Sequence, residues 1–234
     1  MPPVDVIVRG AGPVGCALAL ALRGCGKSVA LQGKNAPSPP QPLRPVALSH
    51  ASRLILERVG AWQTLAPTPI QTIHVSQQGA FGRTRLGAAD AGVPALGYVV
   101  SYESLLKALL SRVEQSGIPI RMEAGDAPLV AHCEGTAGEL PEKSYGQEAV
   151  VALVTTRPAA AGTAWERFTP EGPLALLPLG ERYCVVWGMP PERAQELCGA
   201  PAAEFLAALA HAFGRRAGEF TAVAERSRAP LGLR

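Results

Sequence analysis

A short β-branched run, Val4-Asp5-Val6-Ile7-Val8, leads directly into Gly10-Ala11-Gly12-Pro13-Val14-Gly15, and that loop leads directly into the Ala- and Leu-rich run Cys16–Leu22. Gly24 and Gly26 end the helix that this run predicts, and Ser28-Val29-Ala30-Leu31 follows as a second buried strand. A strand, a helix and a strand within about thirty residues make a β-α-β unit, which requires a parallel sheet with a right-handed crossover. The glycine spacing at the strand-to-helix junction adds chemistry. The first glycine makes the tight turn, the second lets a pyrophosphate approach the backbone, and the third lets helix and strand pack closely. Free N–H groups and the helix dipole then hold the phosphates.

The same fingerprint asks for an acidic residue at the end of the second strand, about twenty residues on, to take the ribose hydroxyls. Gln32 or Gly33 stands there, and no Asp or Glu occurs between Asp5 and Glu57. Gln32 can hydrogen-bond a ribose as a neutral partner. Lys34 offers a cation for the 2′-phosphate of a bound NADP, against the plainer reading of a solvated loop lysine. Ala21-Leu22-Arg23-Gly24-Cys25-Gly26-Lys27-Ser28 fits a relaxed Walker A pattern, but a helix precedes it and a strand follows. A P-loop needs the opposite order, so this run is not expected to hold a triphosphate.

Beyond this unit, Asn35 to Pro45 is proline-rich and predicts an extended excursion. Ser49 to Leu56 predicts a helix whose apolar face is Ala51, Leu54, Ile55 and Val59, closed by Gly60. Ile70 to Ser76 reads as a strand with Gly79 to Leu86 as its hairpin partner, and Gly97 to Val100 as another strand. Ser101 caps a helix from Tyr102 to Gln115 with the face Leu105, Leu106, Leu109, Leu110 and Val113, ended by Gly117. Ile118-Pro119-Ile120 begins a strand. Ala149–Thr155, Trp165–Phe168, Leu174–Leu179 and Tyr183–Trp187 are short strands between Pro and Gly turns, which suggest a mostly antiparallel sheet. Pro191–Leu197 and Ala202–Phe213 read as helices.

Composition narrows the function classes. The formal charge of +3 is too small and too evenly spread to argue for nucleic acid. The longest wholly apolar run, Cys16–Leu22, is far short of the ~18 residues that span a membrane, and the start lacks the basic region of a signal peptide. Five cysteines, at 16, 25, 133, 184 and 198, are scattered without a C-x-x-C pair and read as buried hydrophobes in a reducing, cytoplasmic setting. The four histidines, at 50, 74, 132 and 211, are equally scattered, so no metal site is expected.

With these residues in hand, the sequence resembles the FAD-dependent aromatic-ring hydroxylases of ubiquinone biosynthesis, which are class A flavoprotein monooxygenases. The glycine loop and its strand are similar to the family's opening. Arg44-Pro45-Val46-Ala47-Leu48-Ser49 and the helix after it resemble the family's arginine segment. Ile73-His74-Val75-Ser76-Gln77 resembles its first substrate-domain strand. Glu166-Arg167-Phe168-Thr169-Pro170-Glu171-Gly172-Pro173-Leu174-Ala175-Leu176-Leu177-Pro178-Leu179 is the most specific match.

The resemblance implies an α/β fold: a Rossmann-like, FAD-binding parallel sheet with an interleaved, mostly antiparallel β-rich substrate domain. It assigns 1–72, 97–135 and 218–234 to the FAD-binding part and 73–96 and 136–217 to the substrate part. Gly10, Ala11, Gly12, Pro13, Val14, Gly15, Gln32, Arg44, Glu134 and Gly135 become the cofactor-binding residues, with no catalytic side chain and no metal ligand. FAD is the implied cofactor and NAD(P)H the co-substrate; bound flavin and O₂ would hydroxylate a polyprenyl-phenol-like ring. Contact with the inner membrane surface and assembly with other ubiquinone-biosynthesis proteins are further implications.

The sequence departs from the family in four places. Glu134-Gly135 stands where the family has Asp-Gly, and Tyr102-Glu103 where it has an arginine. Several strands after Gly117 are missing. The family continues beyond Arg234 into a Gly-Asp segment, so a C-terminally truncated member is expected. Two other functions fit the departures: a diverged relative that binds nucleotide weakly or serves as an interaction module, and, on Lys34, an NADP-binding Rossmann oxidoreductase.

Overall fold

The structure is a computed structural model and describes residues 3–33, 43–123, 125–134 and 143–233. In chain order it begins with β1 (Val6–Arg9), α1 (Pro13–Ala21), β2 (Val29–Gln32), β3 (Pro45–Ser49) and α2 (His50–Arg58). After a 3-10 turn at Trp62–Thr64 come β4 (Thr68–Ile70), β5 (Thr72–Gln77), β6 (Arg83–Gly87), β7 (Gly97–Ser101), α3 (Tyr102–Ser116), β8 (Ile120–Arg121) and β9 (Leu129–His132). The rest is β10 (Lys143–Arg157), β11 (Thr163–Phe168), β12 (Pro173–Leu179), β13 (Arg182–Met189), α4 (Pro191–Gly199), α5 (Ala202–Phe213) and β14 (Glu219–Leu233).

Three sheets result. One is wholly parallel, in the order β8-β2-β1-β9. Its two inner strands, β1 and β2, are buried on both faces, which explains their Val/Ile/Leu/Ala character. Val6, Val8, Val29 and Leu31 pack against Cys16 and Ala19 of α1 and Leu105, Leu109 and Val113 of α3, while Ile7 and Ala30 pack on the opposite face with Val4 and Val130. Asp5 ties the strand starts together, its Oδ2 accepting from the Ser28 amide at 2.8 Å and the Ser28 hydroxyl at 2.7 Å. A small antiparallel sheet, β3-β7-β4, delivers the chain to α3. Ser101 caps that helix by accepting from the Ser104 amide at 3.1 Å, and Gly117 ends it in the left-handed region at φ 75°.

The third sheet has seven strands, in the order β14-β10-β13-β12-β11-β5-β6. Every pairing in it is antiparallel except β5 with β11. One face carries α4 and α5 over a core that includes Trp187, Phe205, Leu209 and Phe213. Arg167 locks α5 to the sheet, its Nε donating to the Ala212 carbonyl at 2.9 Å. The chain is therefore mixed α/β, as the sequence implies.

Four expectations need correction. The first helix starts at Pro13 rather than Cys16, because proline is favoured in the first turn, where its missing N–H costs nothing. The strand expected over Ile70–Ser76 breaks at Gln71, so that Ile70 joins the small sheet and Thr72–Gln77 the large one. In α2 the buried residue is Leu56, followed by Val59, whereas Leu54 and Ile55 are 52% and 54% exposed. The helix is thus rotated from the expected face, because α1 and β7 meet it on the Leu56 side. Finally, within 218–234, expected to return to the nucleotide-binding part, Glu219–Leu233 form edge strand β14 of the large sheet. Phe220 is buried there beside Phe213, their ring centroids 6.0 Å apart.

These burials predict a contrast. Leu209→Ala in the large-sheet core is expected to cost about 2–5 kcal/mol. Leu54→Ala on α2 is expected to stay within about 0.5 kcal/mol. Urea unfolding of both variants measures the difference.

Candidate functional site

The loop between β1 and α1 is built by three close approaches. Gly10 sits at φ 101°, and a Cβ there would lie 2.6 Å from the Cys133 carbonyl oxygen at the end of β9. A Cβ on Gly15 would lie 1.9 Å from the Gly10 carbonyl oxygen, so the helix start presses onto the strand end. A Cβ on Gly33, just after β2, would lie 2.5 Å from the Ala11 Cβ. Glycine is required at these three positions for packing alone.

Gly12 is different. A Cβ there would meet only the Tyr102 hydroxyl, at 3.8 Å. The space over Gly12 is open, and it faces the N-terminus of α1, whose cap is Gly12 itself with no side-chain partner. The first-turn amides of a helix have no helical acceptor, and the dipole favours an anion beside them. Pro13 contributes no N–H, leaving the Val14 and Gly15 amides as the donors. Cys16 is buried beneath the loop, and burial pushes its thiol up to about 12, so it stays a neutral packing group.

Two residues far apart in sequence join this loop. Tyr102 opens α3 and places its hydroxyl above Gly12. The Arg44 guanidinium stacks on the Tyr102 ring at 4.6 Å from the centroid, and the Tyr102 amide donates to the Arg44 carbonyl at 2.9 Å. Arg44 is thus tied to the one side chain that reaches Gly12. Tyr102 is the residue that the sequence reading missed, having marked it only as the replacement for an arginine.

At the other end of the loop the last residues of β2, β1 and β9 stand in register: Gln32 beside Arg9, and Arg9 beside His132. Gln32 Oε1 and Arg9 Nε are both buried without a hydrogen-bond partner. Glu134 is brought to the loop, its Cα 2.9 Å from where a Gly10 Cβ would stand, and its carboxylate lies 3.2 Å from His132 Nδ1. Gly135 and Lys34 lie outside the described residues. The Walker-like run Ala21–Ser28 sits between the end of α1 and the start of β2, in the inverted order that excludes a P-loop.

In the large sheet, Glu166 of β11 lies on the face away from α5, paired with Val75 and Ala175, and burial raises its carboxyl above the usual range. A concavity of about 450 Å³ beside β6, lined by Gln71, Thr72, Arg85 and Asp90, contains none of the loop residues. Among the described residues there is no cluster of three or more His, Cys, Asp or Glu that could hold a metal. No helix there is long and apolar enough to cross a membrane.

Residues 3–155 match the family model described as an FAD binding domain, and the chain belongs to that family. It is 29% identical to the ubiquinone hydroxylase UbiL of Rhodospirillum rubrum, over 92% of this chain and 58% of that protein. It is 26% identical to the 3-demethoxyubiquinol 3-hydroxylase of Escherichia coli, over 95% of this chain and 66% of that protein. The chain therefore spans less than two thirds of these relatives' length. Among solved structures, PqsL of Pseudomonas aeruginosa, in complex with 2-aminobenzoylacetate, superposes with a TM-score of 0.75 at 18% identity. That alignment covers 99% of this chain and 74% of PqsL. At this identity the likeness is one of fold.

The residues present fit the adenosine–pyrophosphate half of FAD. A pyrophosphate fits the space open over Gly12, and the unpartnered Gln32 Oε1 can accept from a ribose hydroxyl. The loop geometry predicts that two glycine substitutions differ in kind. Gly12→Val is expected to change stability by no more than about 1 kcal/mol while abolishing FAD retention. Gly15→Ala is expected to cost about 1–3 kcal/mol or more, because its clash is with backbone. Thermal melts with and without FAD separate the two.

Proposed function

We propose that this member of the FAD-binding family takes part in FAD- and NAD(P)H-dependent hydroxylation of the aromatic ring of a ubiquinone precursor. The observation that carries the reading is the cradle open at Gly12, flanked by the Val14 and Gly15 amides, the Tyr102 hydroxyl and the Arg44 guanidinium. The names of the two curated relatives support the substrate class.

In this reading, bound FAD supplies the redox chemistry that inserts one oxygen atom from O₂ into the ring. This chain's residues bind and orient. The Val14 and Gly15 amides at the start of α1 hold the pyrophosphate, and Arg44, braced on Tyr102, adds a positive charge beside it. Gln32 accepts from the ribose. In this reading the parallel sheet with α1 and α3 is the nucleotide-binding part, and the seven-stranded sheet is the part that meets an apolar, phenolic substrate. On that sheet face Val75, Ala175 and Glu166 give an apolar surface with one carboxyl, which burial pushes above the usual range. Contact with a membrane surface and with other proteins of ubiquinone biosynthesis belongs to the same proposal, since a polyprenyl substrate is itself a lipid.

Incubating the purified chain with FAD and then desalting it tests the reading. Retention of the oxidised-flavin absorbance band, and its loss in Arg44→Ala combined with Gly12→Val, is the expected result. A colourless protein would sink the reading for this chain.

A further inference from the structure

Phenylalanine placement singles out one end of the large sheet. The chain has five phenylalanines. Phe205, Phe213 and Phe220 are buried, whereas Phe81 is fully exposed and Phe168 half-exposed. The two exposed rings belong to the same end of the sheet. Phe81 lies in the loop between β5 and the edge strand β6, and Phe168 closes β11. Strand β11 runs parallel to β5 with Phe168 opposite Gln77, and the Gln78 amide donates to the Phe168 carbonyl at 2.8 Å. Gly79, at φ 76°, turns the chain before Phe81, and Gly82 follows it, so the ring stands clear on a narrow turn.

Positive charge gathers beside these rings. Register puts Arg83 opposite Ser76 and Arg85 opposite His74, on one face of the hairpin. That face is the one covered by α5. The His74 and Trp165 ring centroids are 4.9 Å apart, and those of Trp165 and Phe213 are 5.9 Å apart. Arg167 donates from Nη1 to Ser76 Oγ at 3.3 Å and from Nε to the Ala212 carbonyl. These contacts hold the end of α5 against the base of the hairpin, and after Gly214 the chain exposes Arg215 and Arg216. Burial, and then the charges of Arg216, Arg83 and Arg85, lower the His74 pKa, so arginines from both segments act on one imidazole. Asp90 lines the concavity beside Arg85 without pairing to it. Arg83, Arg85, Arg215 and Arg216 make no ion pair with any described residue. Four unpaired guanidinium groups on one side exceed the formal charge of +3 carried by the whole chain.

Unpaired arginines beside exposed rings attract an anionic surface, and the arrangement fits a bilayer better than a folded partner. A protein interface of standard size needs about 800 Å² of contact from each side around a packed apolar centre. Here the apolar groups are separate rings at a strand end. A bilayer needs only apolar groups that enter the headgroup region and cations at the level of the phosphates. We propose that the β5–β6 hairpin and the end of α5 dock this chain on an anionic membrane. Phe81 and Phe168 enter the interface, and Arg83, Arg85, Arg215 and Arg216 meet lipid phosphates, for which the guanidinium fork is suited. The reverse face of β5 carries Ile73 and Val75, with Val75 beside Glu166. A hairpin seated on lipid thus sets the face proposed for a polyprenyl-phenol next to the phase that dissolves it. The proposal names the surface for the membrane contact proposed above and does not depend on the nucleotide site.

Vesicle co-sedimentation of the full chain tests it. The probes are vesicles of phosphatidylcholine alone and vesicles in which about a third of the lipid is phosphatidylglycerol. Partitioning onto the anionic vesicles is expected to be at least about tenfold stronger than onto the neutral ones, and to fall at high salt. Arg83→Gln, Arg85→Gln, Arg215→Gln and Arg216→Gln together are expected to bring the two lipids level. Phe81→Ser is expected to weaken binding severalfold and keep the preference. Arg23→Gln, Lys27→Gln, Arg58→Gln and Lys107→Gln together remove as much charge from exposed positions elsewhere and are expected to keep most of the preference. Equal partitioning of the wild type onto both lipids, a preference that survives the four hairpin and α5 substitutions, or an equal loss in the second set overturns the proposal. Retention of the chain on polyglutamate without vesicle binding also overturns it and assigns the arginines to an acidic protein. FAD retention on the same samples keeps the two readings apart: a chain that holds flavin but ignores vesicles loses the docking surface alone. The wild-type lipid preference decides the matter even where a variant fails to fold.

Discussion

The contact on which the rest depends is the stacking of three pieces of backbone without side chains between them: the Cys133 carbonyl at the end of β9, Gly10 at the end of β1, and Gly15 in the first turn of α1. Because no Cβ intervenes, the helix start lies directly on the strand ends. That position turns the amides at the start of α1 toward the space above Gly12. It also lets β9 run beside β1 in parallel register, with the Cys133 amide closing on the Arg9 carbonyl. The open position at Gly12 is thus a consequence of closed positions at Gly10 and Gly15.

Electrostatics follows from the same placement. Positive partial charge at the start of α1, the Arg44 guanidinium over Tyr102, and Arg9 at the strand end all lie around one loop. The one described carboxylate beside the loop, Glu134, is turned to His132. An anion placed there meets donors from backbone and side chain, and water-facing Arg44 loses less on binding than a buried cation would. The large sheet plays a separate part. Its α4–α5 face is filled by aromatic and aliphatic side chains, while the opposite face carries Glu166 among small and branched residues.

Much of this was legible in the sequence, for physical reasons. Periodicity and glycine spacing carry strong local signals, so β1, the loop, β2, α3 with its Ser101 cap and the central strands β10 to β13 of the large sheet were readable. The errors lie where burial is decided by distant chain. The pattern of α2 offers two apolar stripes, and only its packing against α1 and β7 selects Leu56 over Leu54 and Ile55. Strand β14 was hidden because its sequence alternates poorly. It carries Arg226, Arg228 and Pro230 and bulges where Glu225 takes φ 53°, features that an edge strand tolerates. At the site, the strand–glycine loop–helix arrangement was legible because it forms a motif. Tyr102 and Arg9 were not. Tyr102 reaches Gly12 from an element far along the chain, and only strand register sets Arg9 beside Gln32.

Hydrogen–deuterium exchange of the full chain, with and without saturating FAD, tests the central claim most directly. Slowed exchange concentrated in peptides covering residues 10–18, with a smaller effect around 44 and 102, is the predicted result. Protection that appears elsewhere while residues 10–18 exchange unchanged would contradict the account.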